Sequence, residues 1–131
     1  MLLFVVQIIQ EAIMTLVEFK GCCMSLSGVT EEFPFDEVTL VYKVKGKMFS
    51  LCNINEFKSV SLKCDPDDAM AFREAFRSVI PGYHLNKKHW NTIELGGDVD
   101  DDRLREWTED SYELVVRGLS KKDRTELALE L

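Results

Sequence analysis

"VTLVYKVKGKMFSLCNI", residues 38–54, decides how the rest of the chain is read. Two runs rich in β-branched and aromatic residues, 38–44 and 47–54, flank Lys45-Gly46. A two-residue break containing glycine between such runs predicts a tight antiparallel hairpin. Leu40, Tyr42 and Val44 share one parity of the first strand, and Val41, Lys43 and Lys45 share the other. If the apolar set faces helices, Lys43 and Lys45 stand on the opposite face or at the hairpin tip, near Lys47.

Outward from the hairpin, "VTEEFPF" (29–35) reads as a short extended piece at a sheet edge, because Pro34 has no amide to give a ladder. "KSVSLKC" (58–64) alternates Val60 and Leu62 with Ser59, Ser61 and Lys63, a half-buried third strand whose polar side would extend the lysine-bearing surface. "CDPDDAMAFREAFRSV" (64–79) opens a helix: Asp65 is placed to cap it, Pro66 fits its first turn, and Asp67 and Asp68 suit the positive end of its dipole. Ala69, Phe72, Phe76 and Val79 are its predicted core stripe, with Pro81-Gly82 as the break. "HWNTIEL" (89–95) predicts another strand, ended by Gly96-Gly97. Before the hairpin, residues 14–26 suit a helix closed by Ser27-Gly28. After Gly97, a long helix is predicted from about Asp101, carrying Leu104, Trp107, Ser111, Leu114, Val115 and Leu119 on one side. A last helix starts at Ser120, where Ser120 and Asp123 have a capping-box spacing. Short connections favour antiparallel pairing, so the expected fold class is α+β, a two-layer domain with an antiparallel sheet packed against helices.

At 131 residues, 46% hydrophobic and 30% charged, the chain has the composition of one globular domain and excludes collagen, coiled coil and wholesale disorder. Cys22, Cys23, Cys52 and Cys64 form no C-x-x-C pair, so buried free thiols in a reducing cytosol are expected rather than a zinc knuckle or redox site. The apolar start, "MLLFVVQIIQ", has no basic region before it, and Gln7, Gln10, Glu11 and Thr15 interrupt it, which weighs against a membrane span. Residues 1–13 are therefore read as an extension on a single domain at 14–131. Two readings of it stay open: an apolar helix that docks on this domain or on a second copy, or translated leader sequence upstream of a natural start at Met14. Gln10-Glu11 favours the latter, because a purine-rich AGGAG-type string can encode it, two codons upstream of that methionine.

A net charge of −7 weighs against nucleic acid, since phosphate binding runs on lysine and arginine. Its distribution reopens the question. Residues 40–90 carry nine basic and five acidic side chains, between two acidic ends. Within that basic island, His84 and His89 lie five apart, off one helix face and on opposite sides of a strand, so they are a poor metal pair. No G-x-S-x-G, P-loop or G-x-G-x-x-G is present, so neither a nucleophile nor a nucleotide cofactor is assigned. Asp98, Asp100, Asp102 and Glu109 match calcium-loop spacing, but the sixth position is Arg103, where the loop needs glycine. No catalytic residue, metal or cofactor is expected. If Ile93 and Leu95 face the core, parity points Trp90 outward beside Lys88, a combination suited to base stacking or phosphate contact. On residue types alone, a covered Trp90 with a solvated lysine rim is the favoured alternative.

"GVTEEFPF", "VYKVKGKMFSL", "LKCDP", "PGYHLNKKHWNTIEL" and "EDSYELVV", in that order between about Met14 and Arg124, resemble the MmcQ/YjbR family. The resemblance implies a small bacterial cytoplasmic α+β domain with a CyaY-like or secretion-chaperone-like arrangement and no enzymatic activity or cofactor. It also implies a double-wing motif, from which DNA binding is inferred. Carried over, one wing holds Lys43, Lys45 and Lys47, and the other group is Asn86, Lys87, Lys88, His89 and Trp90. The apolar residues 1–13 and the acidic ends depart from the pattern. The leading expectation is thus a non-enzymatic binder of double-stranded DNA, monomeric or weakly dimeric, with those residues and Lys63 on its interface. The alternative is a protein-interaction or chaperone-like module using the sheet face or the N-terminal helix.

Overall fold

The computed structural model describes residues 13–129. The twelve residues before Ile13, on which the expectation of a start at Met14 turns, lie outside them. The chain runs α1 (Leu16–Met24), β1 (Val29–Glu32), β2 (Thr39–Val44), β3 (Lys47–Asn53), β4 (Ser59–Lys63), α2 (Pro66–Ala75), β5 (Val79–Pro81), β6 (Trp90–Glu94), α3 (Asp101–Arg117) and α4 (Lys121–Leu129). The six strands form one sheet in the order β1-β2-β3-β4-β6-β5. Every neighbouring pair is antiparallel, so the α+β class holds.

Local chemistry sets most element ends. Thr15 and Glu18 form a capping box on α1, each side chain bonded to the other's amide. Asp65 accepts from the amides of Asp67 and Asp68, and Pro66 occupies the first turn of α2. Asp100 accepts from Arg103 N at 2.7 Å and opens α3, while Ser120 Oγ accepts from Asp123 N at 3.1 Å at the start of α4. At the hairpin tip Lys45 (φ 49°) and Gly46 (φ 76°) both take the left-handed conformation. That is the backbone of a type I′ turn, whose twist matches the flanking strands.

One element departs from expectation. The helix predicted to run through Val79 stops at Ala75, Phe76 turns extended, and Val79 belongs to β5, opposite Ile93. Two contacts decide it. The carboxylate of Asp98 accepts from Arg77 N at 2.8 Å and Ser78 N at 2.9 Å, so those amides are taken from the helix ladder. The β-branched pair Val79-Ile80 then hydrogen-bonds to β6 as an edge strand, where Pro81 is tolerated.

The same carboxylate yields a pH prediction. Hydrogen bonds from Ser78, by its side chain and then its amide, and from the Arg77 amide lower the Asp98 pKa from 3.8 to about 2. A depressed folded-state pKa contributes stability that is present above the ordinary carboxylate range and is lost as pH falls from about 4 toward 2. Asp98→Asn should therefore flatten the fall in urea midpoint across that window. Equal acid sensitivity of variant and parent would contradict this.

The core lies between the sheet and the helices. Phe19 of α1 meets Tyr42 edge-on at 5.9 Å, Phe49 meets Tyr112 of α3 at 5.6 Å, and Phe72 of α2 stacks on Trp107 of α3 at 4.3 Å. A β-bulge between Tyr42 and Lys43 lets two consecutive residues of β3 turn to this layer. Phe49 touches Tyr112, and Ser50 lies 3.5 Å from Cys23 Sγ. All four cysteines are free thiols.

The opposite face of the sheet is not the open polar surface that parity predicted. Val41, Ser61, Thr92 and Trp90 all point away from the helices yet are buried. Ser61 and Thr92 hydrogen-bond to each other at 2.8 Å, and Thr92 Oγ1 accepts from Tyr83 N at 3.0 Å. The 82–89 loop thus folds back over this end of the sheet.

Candidate nucleic-acid interface

The hairpin lysines part company in three dimensions. Lys43 is on the outer face, its Nζ 2.9 Å from Glu32 of the neighbouring strand. Lys45 reaches Glu126 of α4 at 3.2 Å. Lys47 pairs in register with Val44, whose side faces the helices, and so turns the other way. The wing of three lysines is not one cationic surface, because two of them are neutralised by carboxylates brought up by tertiary structure.

Trp90 is a second correction. It is 7% exposed and cannot offer a face for stacking. Gly82 closes against it, its amide donating to Trp90 O at 2.9 Å. A Cβ at Gly82 would stand 2.7 Å from Trp90 Cβ, which is why this return needs glycine. The loop between them is held from inside the fold. Arg73 of α2 donates through Nε to Asn91 Oδ1 at 2.6 Å, and through Nη2 to the carbonyls of Lys87 and Trp90. Lys87 Nζ donates to Gly82 O at 3.1 Å and Asn86 Oδ1 accepts from Lys88 N at 2.9 Å. Asn86 and Lys87 therefore shape the loop, and they and Lys88 are all exposed on it.

Three of the expected residues do converge. Lys47, Lys63 and His89 line one groove of about 360 Å³ with Cys64, Asp65, Leu114, Val115 and Leu119, at the end of the sheet where the β2–β3 hairpin, the end of β4 and the start of β6 meet the last turns of α3. Neither Lys47 nor Lys63 has an ion-pair partner among the described residues. The groove shares Lys63, Cys64, Asp65 and Leu114 with a smaller chamber of about 140 Å³, lined also by Phe72, Asn91, Trp107, Asp110, Ser111 and Arg117.

Charge differs between the two chambers. The larger has Lys47 and Lys63 against Asp65 alone, and Asp65 is engaged with the amides of its own helix. The smaller has Lys63 and Arg117 against Asp65, Asp68 and Asp110. Burial, then the like charges of Glu106, Glu113 and Glu109, raise the carboxyl of Asp110. Burial, then Asp68 and Asp65, push the Cys64 thiol up to about 11, so it is a neutral thiol at pH 7. Sequence alone does not single out Cys64, Arg73, Asp110 or Arg117. Cys64 has one signal, its place beside the helix cap; the others become visible only when α2 and α3 are packed.

A separate groove of about 480 Å³ crosses the outer face, walled by Phe35 and by Tyr83, His84 and Leu85. Phe35 and Tyr83 are exposed, and the rings of Tyr83 and His84 lie 3.9 Å apart. His84 takes φ 57°, a left-handed conformation uncommon outside glycine. Two of the acidic positions that matched calcium-loop spacing hold backbone amides: Asp98 holds Arg77 and Ser78, and Asp100 opens α3. Among the described residues, no group of three His, Cys, Asp or Glu side chains gathers as metal ligands, and no helix is long and apolar enough to cross a membrane.

Residues 24–114 match the YjbR family model. The uncharacterised protein YbdF of Escherichia coli O157:H7 is 37% identical over 106 residues, covering 80% of this chain and 87% of that one. The uncharacterised protein YjbR of Escherichia coli K12 is 30% identical over 112 residues, covering 85% and 95%. The crystal structure of Deinococcus radiodurans protein DR2400, a DUF419-domain protein, superposes with a TM-score of 0.81 at 41% identity, covering 87% of this chain and 88% of that one. A Pseudomonas syringae protein at 23% identity, covering 77% and 98%, shares the fold with a TM-score of 0.64. A family match across strands β1 to β6 and most of α3, with relatives alike over nearly their full lengths, places this chain in the YjbR family.

Proposed function

We propose that the protein is a non-enzymatic DNA-binding domain whose phosphate contacts come from Lys47, Lys63 and His89, with Lys88 on the adjoining loop. One observation carries the reading: Lys47 and Lys63, distant in sequence, line a single groove and neither has an ion-pair carboxylate among the described residues. Unpaired cations on one concave surface attract phosphate and release its counterions, even on a chain of net charge −7. The paired Lys43 and Lys45 contribute little, since freeing either ammonium costs its ion pair. Binding measured by anisotropy at about 50 and 200 mM salt tests this. Lys47→Ala/Lys63→Ala should weaken binding and lower the salt slope by about 2, one per lost phosphate contact. Lys43→Ala should stay near the parent. A double variant that binds DNA as the parent does at both salts rules the assignment out.

Exposed Phe33, Phe35 and Tyr83 favour a second use, protein contact through the outer-face groove. If that groove joins two copies, light scattering will show a parent dimer that Phe35→Ser/Tyr83→Ser converts to monomer. A monomeric parent removes the self-association form of this reading.

A further inference from the structure

We infer that the two-chamber groove takes one nucleotide unit, with an unpaired pyrimidine-sized base in the smaller chamber and its phosphate in the larger. The inference rests on the DNA-binding reading above and specifies what enters the groove.

Size and polarity assign the base. The smaller chamber, about 140 Å³, has an apolar lining that includes Leu62, Phe72, Ile93 and Trp107. A dry apolar cavity of about 150 Å³ accommodates benzene, so a single six-membered ring fits and a base pair does not. Its lining carries Asp65, Asp68 and Asp110 against Lys63 and Arg117, a negative balance that disfavours a phosphate there. Lys47, Lys63 and His89 provide for the phosphate next door. Lys63 and Cys64 line both chambers, so the two subsites adjoin as base and phosphate do in one nucleotide.

The polar lining limits what can be read. Asn91 is 2% exposed, and its amide is committed to Arg73 Nε at 2.6 Å and Ala69 O at 3.1 Å. The Ser111 hydroxyl lies 2.6 Å from Lys63 O and 2.9 Å from Trp107 O, so its proton is already committed to a backbone carbonyl. With the Ser111 proton and one Asn91 N–H already used, shape and apolar contact set most of the fit, and Arg117, Asp68 and Asp110 are the lining groups left to meet a base edge. In duplex DNA the base has to leave the stack first, which costs free energy that a single strand does not spend.

The test uses the full chain and thymidine single strands of about 12 nucleotides, within the range of single-strand site sizes. Partners are an abasic strand of equal length, the matching duplex, and thymidine monophosphate as competitor. The thymidine strand should bind about tenfold tighter than the abasic strand, as expected for one seated base, and tighter than the duplex. Leu114→Phe, which fills the junction of the chambers, should abolish the difference between thymidine and abasic strands. Competition by the monophosphate at equal phosphate concentration supports the site as one for free nucleotides; no competition supports a strand. Equal binding of abasic and thymidine strands, or preference for duplex, overturns the base chamber while leaving DNA binding intact. No binding by any of these probes overturns both.

Discussion

Trp107→Ala is expected to lower the unfolding free energy by about 4 kcal/mol, the middle of the range for removing a large buried aromatic. The indole is 9% exposed, stacks on Phe72 at 4.3 Å with an interplanar angle of 19°, and meets Phe76 edge-on at 5.4 Å. Both phenylalanines come from α2 and its C-terminal cap, so one side chain of α3 ties the two helices together. Truncation removes that apolar surface and joins its volume to the adjoining chamber, leaving Phe72 and Phe76 little to close on. Against a typical domain stability of about 5–15 kcal/mol, a loss of this size is a large fraction of the whole. Urea denaturation followed by circular dichroism measures it. Trp107→Phe, keeping an aromatic ring, should retain more than half of the lost stability. A loss below about 1 kcal/mol on alanine substitution would mean that α2 and α3 are not coupled through the indole.

The second large effect is at Arg73. Its guanidinium gathers Asn91 Oδ1 and the carbonyls of Lys87 and Trp90 into one fork. Arg73→Ala leaves the buried Asn91 oxygen without that donor and frees the end of the 82–89 loop. Charged hydrogen bonds contribute about 1.5–3 kcal/mol each, and an orphaned buried acceptor costs a further 1–3 kcal/mol; with the site partly exposed, a net loss of about 3 kcal/mol is expected. Arg73→Lys should recover less than half, since an ammonium cannot hold three divergent acceptors as a planar fork does. Hydrogen exchange gives the local readout: the amides of Gly82 and His89, bonded to Trp90 O and Asn86 O, should exchange faster in the alanine variant. Unchanged exchange there would show that the loop does not depend on the arginine.

Elements governed by near neighbours are legible in the order of the residues. The hairpin follows from its alternating strands and from Gly46, and the caps of α1, α2 and α3 follow from side chains within four residues of the amides they bind. The boundary between α2 and β5 is not legible in this way. Phe72, Phe76 and Val79 suit a helical period, and only the distant Asp98 carboxylate takes Arg77 and Ser78 out of the helix. Trp90 shows the limit of parity: it points to the outer face as expected, but the face is covered. Alternation along a strand specifies direction and says nothing about which loop returns over it.

By itself, the sequence determined the antiparallel α+β architecture, the strand parities and the family signature. Each of these is written in local backbone chemistry or in motif order. Tertiary structure alone decided which cations act together. Lys43, Lys45 and Lys47 are two residues apart in sequence, yet one meets Glu32, one meets Glu126, and one enters a groove with Lys63 and His89. The turn and the bulge set the directions, and the neighbouring strand β1 and the last helix, α4, supply the partners. A charge's neighbours depend on how distant elements pack, which no local pattern encodes.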